Sequence, residues 1–452
     1  MFKNNKILIL GMARSGYEAA KYLAKRGNTI ILNDGGSKDK QDKDKIKELE
    51  KLGVVLIFDT HPDDLDLASF DYIIKNPGIS NKHKYVVKAL ELGVPVINEA
   101  EMAYRLLPST VTLIGITGTN GKTTTTTLTY EMIKKSGKRV HLAGNIGYPL
   151  CSFLEKLEDN DIIVMEVSCQ QLANMEEFKP HVALMTNLSE AHIDFFGSYE
   201  AYKNVKLKLF AKQTDEDIAI VNIENNDVMN GVKNILSDIK YFSSKREING
   251  AYLKNNKLYY YDEEIMDRDV FLLKGNHNVE NALGALMIAK EVGVANEDII
   301  SVLKTFSGVR HRLEFIDKVN GVDYYNDTEA TNTKCTTIAL SSFDKNVILI
   351  LGGLERGQNF HDLDDYISPV KEIVGIGECR DRVKEYGDSI GIKTTTYERL
   401  SEAMEYIHNI VIAGDTVLLS PASASWDQYK QCEDRGDEFR DIVERFKDND
   451  YI

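Results

Sequence analysis

Cysteine is scarce in this chain of 452 residues: five, at positions 151, 169, 335, 379 and 432, with no C-x-x-C pair. An odd, scattered set excludes a disulfide frame or zinc knuckle and points to a reducing compartment. Proline is also scarce for the length, at eight, and the 31 glycines follow no G-x-y period, which excludes a fibrous repeat. Basic charge is in deficit, 55 Lys and Arg against 70 Asp and Glu, or −15 net. A general nucleic-acid or anionic-membrane surface is therefore not expected, although a pocket for acidic small molecules needs only a few local cations. Long apolar runs are absent too. Val347-Ile348-Leu349-Ile350-Leu351 is strand-length, far short of the ~20 residues a membrane span needs. Near the start, Ile7-Leu8-Ile9-Leu10 ends at Gly11 and Arg14, which is not the pattern of a signal peptide. A soluble, cytoplasmic protein is expected. The 43% hydrophobic content excludes disorder, and the length suits about three domains of roughly 150 residues.

Along the chain, short apolar runs alternate with helical periods. Residues 7–10 read as a strand, 11–16 as a Gly-bounded turn, 17–26 as a helix closed by Gly27, and 29–32 as a second strand ending at Asn33-Asp34. That order is a Rossmann-like half unit, with ligands expected at the carboxyl ends of its strands. The glycines are spaced G-x-x-x-x-G, not G-x-G-x-x-G, so a dinucleotide fingerprint is not supported while a nucleotide site is. Residues 72–75 give a further strand ending in Asn76-Pro77-Gly78. After a linker at 108–110, strands are expected at 111–116, 161–166 and 182–187, and peripheral strands and turns over about 220–270. Near residue 308 the pattern restarts, with strands at 347–351, 373–376 and 417–419.

The strongest motif is Gly118-Thr119-Asn120-Gly121-Lys122-Thr123, between a strand and a helix. A Gly-rich loop at a helix N-terminus can cradle phosphates with backbone N–H groups, its lysine reaching the terminal phosphates and a hydroxyl ligating Mg²⁺. A helix-capping turn with an incidental lysine is the alternative. The threonines that follow have poor helix propensity, so something other than local preference must favour a helix there. Glu166 ends an apolar strand where a nucleotide-binding domain places a metal ligand, or a solvated carboxylate. Ser168, Gln170 and Gln171 follow it. His192 lies just past the strand at 182–187, as a ligand or a structural histidine. Lys203, Lys206 and Lys208 read as a solvated helix face. Asn276, His277, Asn278 and Asn281 open a helix with amide side chains on one turn, while His311-Arg312, Asn326-Asp327 and the small hydroxyl residues of 419–427 could receive a ligand or simply cap and turn.

Taken together, 118–124, Asn145, Glu166-Val167-Ser168, His192, 275–278 and His311-Arg312 resemble the Mur ligases, ATP-dependent enzymes that add amino acids to the peptidoglycan precursor. Asn76-Pro77-Gly78-Ile79, 326–332, 352–357 and 419–427 extend the resemblance over the whole chain, closest to the branch that adds D-glutamate. It implies an α/β protein of three domains: a Rossmann-like N-terminal domain (1–108) for the UDP substrate, a central P-loop-type ATP- and Mg²⁺-binding domain (109–309), and a Rossmann-like C-terminal domain (310–452) for the incoming amino acid and part of ATP.

The implied substrates are UDP-N-acetylmuramoyl-L-alanine, D-glutamate and ATP, joined through an acyl phosphate, and the implied state is a monomer without nucleic-acid or membrane partners. By position, Lys122, His192 and Lys206 would be catalytic. Gly118, Thr119, Asn120, Gly121, Lys122, Thr123, Thr124, Asn278, Asn281, Arg312 and Asp327 would hold ATP. Thr123, Glu166, His192 and a carbamylated Lys206 would hold Mg²⁺, with two ions expected. Ala13, Arg14, Ser15, Gly16, Asp34, Asn76 and Gly78 would hold the uridine diphosphate, Asn145 and Ser168 the muramoyl-alanine arm, and Thr331, Arg356 and Ser425 the D-glutamate. The carbamate requires a neutral amine, hence a lysine of lowered pKa.

Three positions depart from the family pattern. Glu329 stands where lysine is common, so either a nearby cation compensates or the position does not touch ligand. Cys169 replaces a common serine and Cys432 a common aromatic. A sibling ligase adding another amino acid and a nucleotide-binding, non-catalytic homologue are the competing readings. A dehydrogenase fails on glycine spacing.

Overall fold

Ile7, Leu8, Ile9 and Leu10 are all fully buried, as an unbroken apolar run must be in a parallel strand covered on both faces. They form most of β1 (Lys6–Leu10), the centre of an all-parallel sheet with β2 (Thr29–Asn33), β3 (Val55–Ile57), β4 (Tyr72–Lys75) and β5 (Val96–Asn98) in the order β3-β2-β1-β4-β5. The computed structural model describes residues 1–273 and 275–447, without the side chain of Asp194. Residues 448–452, the end of the expected third domain, lie outside the described ones.

The strand order reverses direction between β1 and β4, which opens a crevice at their carboxyl ends. The turns after those two strands meet there: the Asn76 N–H bonds to the Leu10 carbonyl, and a Cβ on Gly11 would come within 3.2 Å of the Asn76 side chain. The helix after β1 starts earlier than the glycine spacing suggests, at Arg14 (Arg14–Lys25). Gly16 is the reason. Its Cα packs so closely on the Gly11 carbonyl that a Cβ would lie 1.9 Å from the oxygen, so the first helical turn closes directly onto the strand end.

The second sheet contains β6 (Thr112–Thr117), β7 (Val140–Gly144), β8 (Ile162–Glu166), β9 (Val182–Met185), β10 (Ile218–Asn222), β11 (Asp238–Ser243), β12 (Gly250–Lys254), β13 (Lys257–Tyr260) and β14 (Glu263–Asp267). Its order is β14-β13-β12-β11-β10-β9-β6-β8-β7, parallel as far as β12 and antiparallel beyond. The polar 220–270 stretch supplies its outer strands, as expected. β6 lies between β8 and β9, so the ends of all three strands open onto one edge. Just past the end of β9 at Met185, the Thr186 N–H still reaches the Thr117 carbonyl, while the Thr186 hydroxyl and the Asn187 side chain bond the loop after β6.

That loop feeds the helix Lys122–Lys135, which forms despite its run of threonines. The Thr127 and Thr129 hydroxyls donate to carbonyls one turn back, and Thr125, Thr126 and Thr129 are buried. Tertiary packing overrides propensity here.

The first two sheets belong to one compact unit, Met1–Val270 with Asn276–Lys304. The second unit, Phe271–Gly275 with Thr305–Ile452, carries a third sheet: β15 (Glu314–Val319), β16 (Val322–Asn326), β17 (Val347–Gly352), β18 (Val370–Ile376), β19 (Thr394–Thr396) and β20 (Thr416–Leu419), ordered β15-β16-β20-β17-β18-β19. Only β15 runs antiparallel to its neighbour. The three-sheet α/β architecture expected from the sequence is present.

Gly16→Ala should destabilise the first sheet by about 1–3 kcal/mol through overpacking against the Gly11 carbonyl. A lowered first transition in thermal unfolding checks this. Gly78→Ala, where the nearest atom to a Cβ is a side-chain oxygen 3.5 Å away, should leave that transition unchanged.

Candidate active site

The loop after β6 is braced from one side by the end of β9. The Thr119 N–H donates to the Asn187 carbonyl (2.9 Å), the Asn120 N–H to Asn187 Oδ1 (3.0 Å), and the Thr186 hydroxyl to the Asn120 carbonyl (2.6 Å). Space permits no side chain at either glycine: a Cβ on Gly118 would lie 1.9 Å from Thr186 Oγ1, and one on Gly121 2.1 Å from Asn281 Oδ1. Both glycines also have positive φ, 152° and 79°. The Thr119 and Asn120 amides are thus committed to the loop itself. The helix's own ladder begins with Thr125 N–H to the Gly121 carbonyl, and a helix start of this kind can offer N–H groups to an anion. Lys122 Nζ reaches back to the Thr119 carbonyl at 2.9 Å, and Thr123 and Thr124 are half-buried on the same first turn. Asn278 and Asn281, from the first turns of Asn276–Glu291, meet the loop through Thr125 Oγ1–Asn281 Oδ1 (3.3 Å) and Asn281 Nδ2–Asn278 Oδ1 (3.2 Å).

Glu166 pairs with Ile116 across the sheet and is fully buried. Its Oε1 accepts from Asn145 Nδ2 at 2.7 Å, while Oε2 is buried with no hydrogen-bond partner among the described residues. A buried, unsatisfied carboxylate oxygen is costly, and a cation is the natural remedy. An unpartnered carboxylate oxygen is the hard donor Mg²⁺ takes, and that ion keeps several of its waters, so few protein groups are needed. The residues present fit that ion.

Lys206 corrects the reading of a solvated helix face. On the helix Tyr199–Leu207, Lys203 is half-buried and Lys208, just beyond, is exposed, but Lys206 is only 2% exposed. Its ammonium donates to Thr117 Oγ1 (3.1 Å) and stands 5.3 Å from the centre of the Tyr202 ring. Burial, aided by the Lys122 charge, pushes its pKa down to about 7. Tyr202, one turn earlier, ties the group together: its hydroxyl lies 3.0 Å from Thr119 Oγ1 and its ring 6.0 Å from that of His192. His192 is exposed, at φ 52° and ψ 33°, where the chain turns into Ile193–Phe196. Sequence reasoning gave Tyr202 no role, although its spacing of four from Lys206 puts both on one helical face.

A cavity of about 380 Å³ lies alongside. Ala13, Arg14 and Ser15 line it with Asn76, Pro77 and Gly78 from the first sheet, and Gly144, Asn145, Ser168, Gln170 and Gln171 from the second; Glu99 and Pro149 complete the wall. Seven of the expected substrate positions therefore share one cavity. Gly16 and Asp34 do not line it. Gly16 packs beneath the turn, and Asp34 accepts the Met12 and Gly36 N–H groups at 2.7 and 2.8 Å, holding the turn in shape. Ser168 caps Cys169–Leu172 through a reciprocal bond with Gln171, and Cys169 is buried beside Gln170.

In the second unit, Asp327 is buried with Oδ2 accepting from Ser420 Oγ (2.7 Å) and Oδ1 from the Leu313 N–H (3.0 Å); burial pushes its pKa up to about 7. Arg312 reaches Glu329 at 3.4 Å, and the Cys432 thiol lies 3.5 Å from the other Glu329 oxygen. The cation that Glu329 calls for is thus its neighbour Arg312. Burial and the adjacent Glu329 carboxylate push the Cys432 thiol up to about 12, so it stays protonated. Thr331 is half-buried, its N–H on the Glu329 carbonyl. Arg356 lies over the exposed Trp426 ring at 4.6 Å, and Ser425 is buried with its hydroxyl unpartnered among the described residues.

Arg435, which sequence reasoning missed, is 1% exposed. It bonds the Thr328 hydroxyl (2.9 Å) and the Thr328, Ser423 and Gly352 carbonyls (3.1, 3.0 and 3.4 Å), pinning three loops. In so charged a segment nothing in its spacing marks it as internal.

Family models for the Mur ligase middle domain and for the Mur ligase MurD-like N-terminal domain match residues 116–289 and 5–98. A UDP-N-acetylmuramoylalanine–D-glutamate ligase of Geobacillus sp. (strain WCH70) is 40% identical over 449 residues, 99% of each chain. A protein of the same name from Streptococcus agalactiae serotype III (strain NEM316) is 41% identical over 447 residues, covering 99% of this chain and 98% of that one. The chain belongs to the Mur ligase family.

Solved Mur ligases share the fold. The MurC UDP-N-acetylmuramate–alanine ligase of Thermotoga maritima aligns with TM-score 0.57 at 19% identity over 98% of this chain and 99% of its own. A MurF of Acinetobacter baumannii aligns with TM-score 0.58 at 17% identity over 94% and 92%. Among the described residues of this Mur ligase, no helix is long and apolar enough to cross a membrane.

Because Glu166 Oε2 has no partner among the described residues, Glu166→Gln should stabilise the protein in the absence of divalent metal and weaken its stabilisation by added Mg²⁺ about tenfold or more in concentration. Thermal unfolding against Mg²⁺ concentration reads both effects.

Proposed function

We propose that this protein is an ATP-dependent ligase that adds D-glutamate to UDP-N-acetylmuramoyl-L-alanine in cytoplasmic peptidoglycan precursor synthesis, acting as a monomer. The observation that carries the chemistry is the meeting of Lys122, buried Glu166 with its unpartnered oxygen, and buried Lys206 around one loop. The choice of D-glutamate rests on the full-length similarity to ligases of that name.

On this reading the alanyl carboxylate attacks the γ-phosphorus of ATP, releasing ADP and leaving an acyl phosphate. The D-glutamate amine then attacks the acyl carbon, phosphate departs, the amine loses a proton and the amide remains. Both attacks bring anions or electron-rich groups together, so charge screening and positioning are the protein's main tasks. Lys122 and the first turn of Lys122–Lys135 face the triphosphate, with Asn278 and Asn281 against the loop. Thr123 and Glu166, with His192 at a second ion, would hold Mg²⁺, which supplies charge neutralisation on the phosphates. Lys206, with a pKa of about 7, has a large neutral fraction at neutral pH and can add to CO₂, losing one proton to give a carbamate that would serve the ions.

The division of labour follows: residues 1–108 hold the UDP end through the Ala13–Arg14–Ser15 turn and Asn76–Gly78, 109–309 the ATP and metal, and 310–452 the amino acid and part of ATP. In the last, Arg312 and Asp327 would meet the nucleotide, and Thr331, Arg356 and Ser425 the D-glutamate carboxylates, for which the Arg356 guanidinium offers a bidentate grip. With Glu329 paired to Arg312, its negative charge is no argument for another amino acid.

Phosphate release by the purified protein should require ATP, Mg²⁺, UDP-N-acetylmuramoyl-L-alanine and D-glutamate together, and fall about a hundredfold or more in Lys122→Ala. Release with L-glutamate or another amino acid would keep the mechanism and overturn the specificity. No release with any acceptor would leave a nucleotide-binding homologue. A carbamate carbon signal after labelling with ¹³C-bicarbonate, absent in Lys206→Arg, tests the modification separately.

A further inference from the structure

Glu99 stands in the cavity wall among Arg14, Ser15, Asn76, Asn145 and Ser168. It is 3% exposed, the first residue of the short helix Glu99–Tyr104. Its Oε1 accepts the Cys151 N–H at 2.7 Å. Among the described residues no lysine, arginine or histidine forms an ion pair with it. A carboxylate in such a place is penalised by desolvation. It would also repel a ligand carrying a diphosphate and a carboxylate. A neutral carboxyl has neither fault, and it offers both a donor and an acceptor.

Resting on the ligase reading above, we propose that Glu99 is a specificity-determining residue of this cavity, meeting a neutral amide or hydroxyl of the sugar–alanine arm of the acceptor as a neutral carboxyl. The groups around it support that form. Burial pushes the Glu99 pKa up to about 7; hydrogen bonding from Cys151 and the charge of Arg14 oppose the rise, and the charge of Glu18 adds to it. Cys151 is itself fully buried, its thiol held far above the usual range, so it stays neutral. Glu18 and Arg14, both on the helix Arg14–Lys25, are the charged groups with the largest effect on Glu99.

The neighbours expected to meet the acceptor have fixed commitments: Asn145 donates to Glu166, and Ser168 bonds Gln171. Glu99 is the one carboxyl in the wall, and its proton makes it the group there whose hydrogen bonding changes with pH. The sign follows from the direction of the shift. Raising pH through about 7 ionises Glu99, removes its donor and adds a negative charge to the cavity wall.

The test compares wild type, Glu99→Gln and Glu99→Ala in steady-state kinetics and in calorimetric binding of UDP-N-acetylmuramoyl-L-alanine. Glu99→Ala should raise the KM for the acceptor about tenfold, with the KM values for ATP and D-glutamate within about twofold, as loss of a hydrogen bond confined to one substrate implies. Glu99→Gln, which keeps a donor and an acceptor, should recover most of that loss. Wild-type affinity for the acceptor should weaken between about pH 6 and 8.5, while that of Glu99→Gln stays flat. An unchanged acceptor KM in Glu99→Ala, or the same pH dependence in wild type and Glu99→Gln, overturns the proposal while leaving the ligase reading intact. A wild-type protein that neither binds the acceptor nor releases phosphate with it overturns both. Unaltered ATP binding in each variant reports that the fold survives, and a variant that loses it is replaced by Glu99→Ser in the same comparison.

Discussion

Two opposite charges buried at the ends of adjacent strands govern the rest of the first unit. Lys206 is held against Thr117 at the end of β6, and Glu166 ends β8 beside it; both are cut off from water. Neither finds an ion-pair partner among the described residues, so each is left electrostatically unfinished. An interior this close-packed tolerates such groups only when something else completes them. The nearby loop is shaped to bring that completion, with glycines where any side chain would collide with Thr186 or Asn281 and amides already spent on bracing it. Burial of Lys206 lowers its pKa, and the N-terminal turn of Lys122–Lys135 adds positive potential. One set of contacts thus sets the loop geometry, the protonation and the preference for an anionic, metal-bearing ligand.

The second unit uses a related device with a different residue. Arg435 is buried among carbonyls of Thr328, Gly352 and Ser423, so its guanidinium is satisfied by dipoles and not by a carboxylate. Five N–H donors on a rigid plane can tie several loops at once, which an ammonium could not do. The loops it ties carry Thr331, Arg356 and Ser425 close by in sequence. Asp327 is fixed in the same way, by Ser420 and the Leu313 amide, before any ligand contributes.

Much of this was legible in the sequence, for physical reasons. β1 and β8 are built on unbroken apolar runs, 7–10 and 162–165, that stop at Gly11 and Glu166, and a strand buried on both faces leaves that mark. Gly118 and Gly121 announced a tight loop, and the structure shows the atoms that exclude anything larger. The first helix was less legible. Its start at Arg14 depends on Gly16 touching Gly11 across a turn, a contact that periodicity does not encode. Lys206 read as a surface charge, and Arg435 drew no notice, because burial of a cation is decided by what packs over it. Glu329 was legible as a departure, yet its partner Arg312, seventeen residues away, emerged only when β15 and β16 brought the two together. Glu99 carried no signal at all, since a glutamate opening a helix is ordinary.

The central claim is that burial sets the ionisation of the site before any ligand arrives, and Lys206 states it most sharply. Its pKa can be measured by NMR titration of the lysine side chain in bicarbonate-free, metal-free buffer, with Lys206→Arg assigning the resonance. The account predicts a midpoint of about 7. A midpoint near the ordinary lysine value of about 10.4 would mean that water or an unpaired carboxylate reaches the amine, and would contradict it.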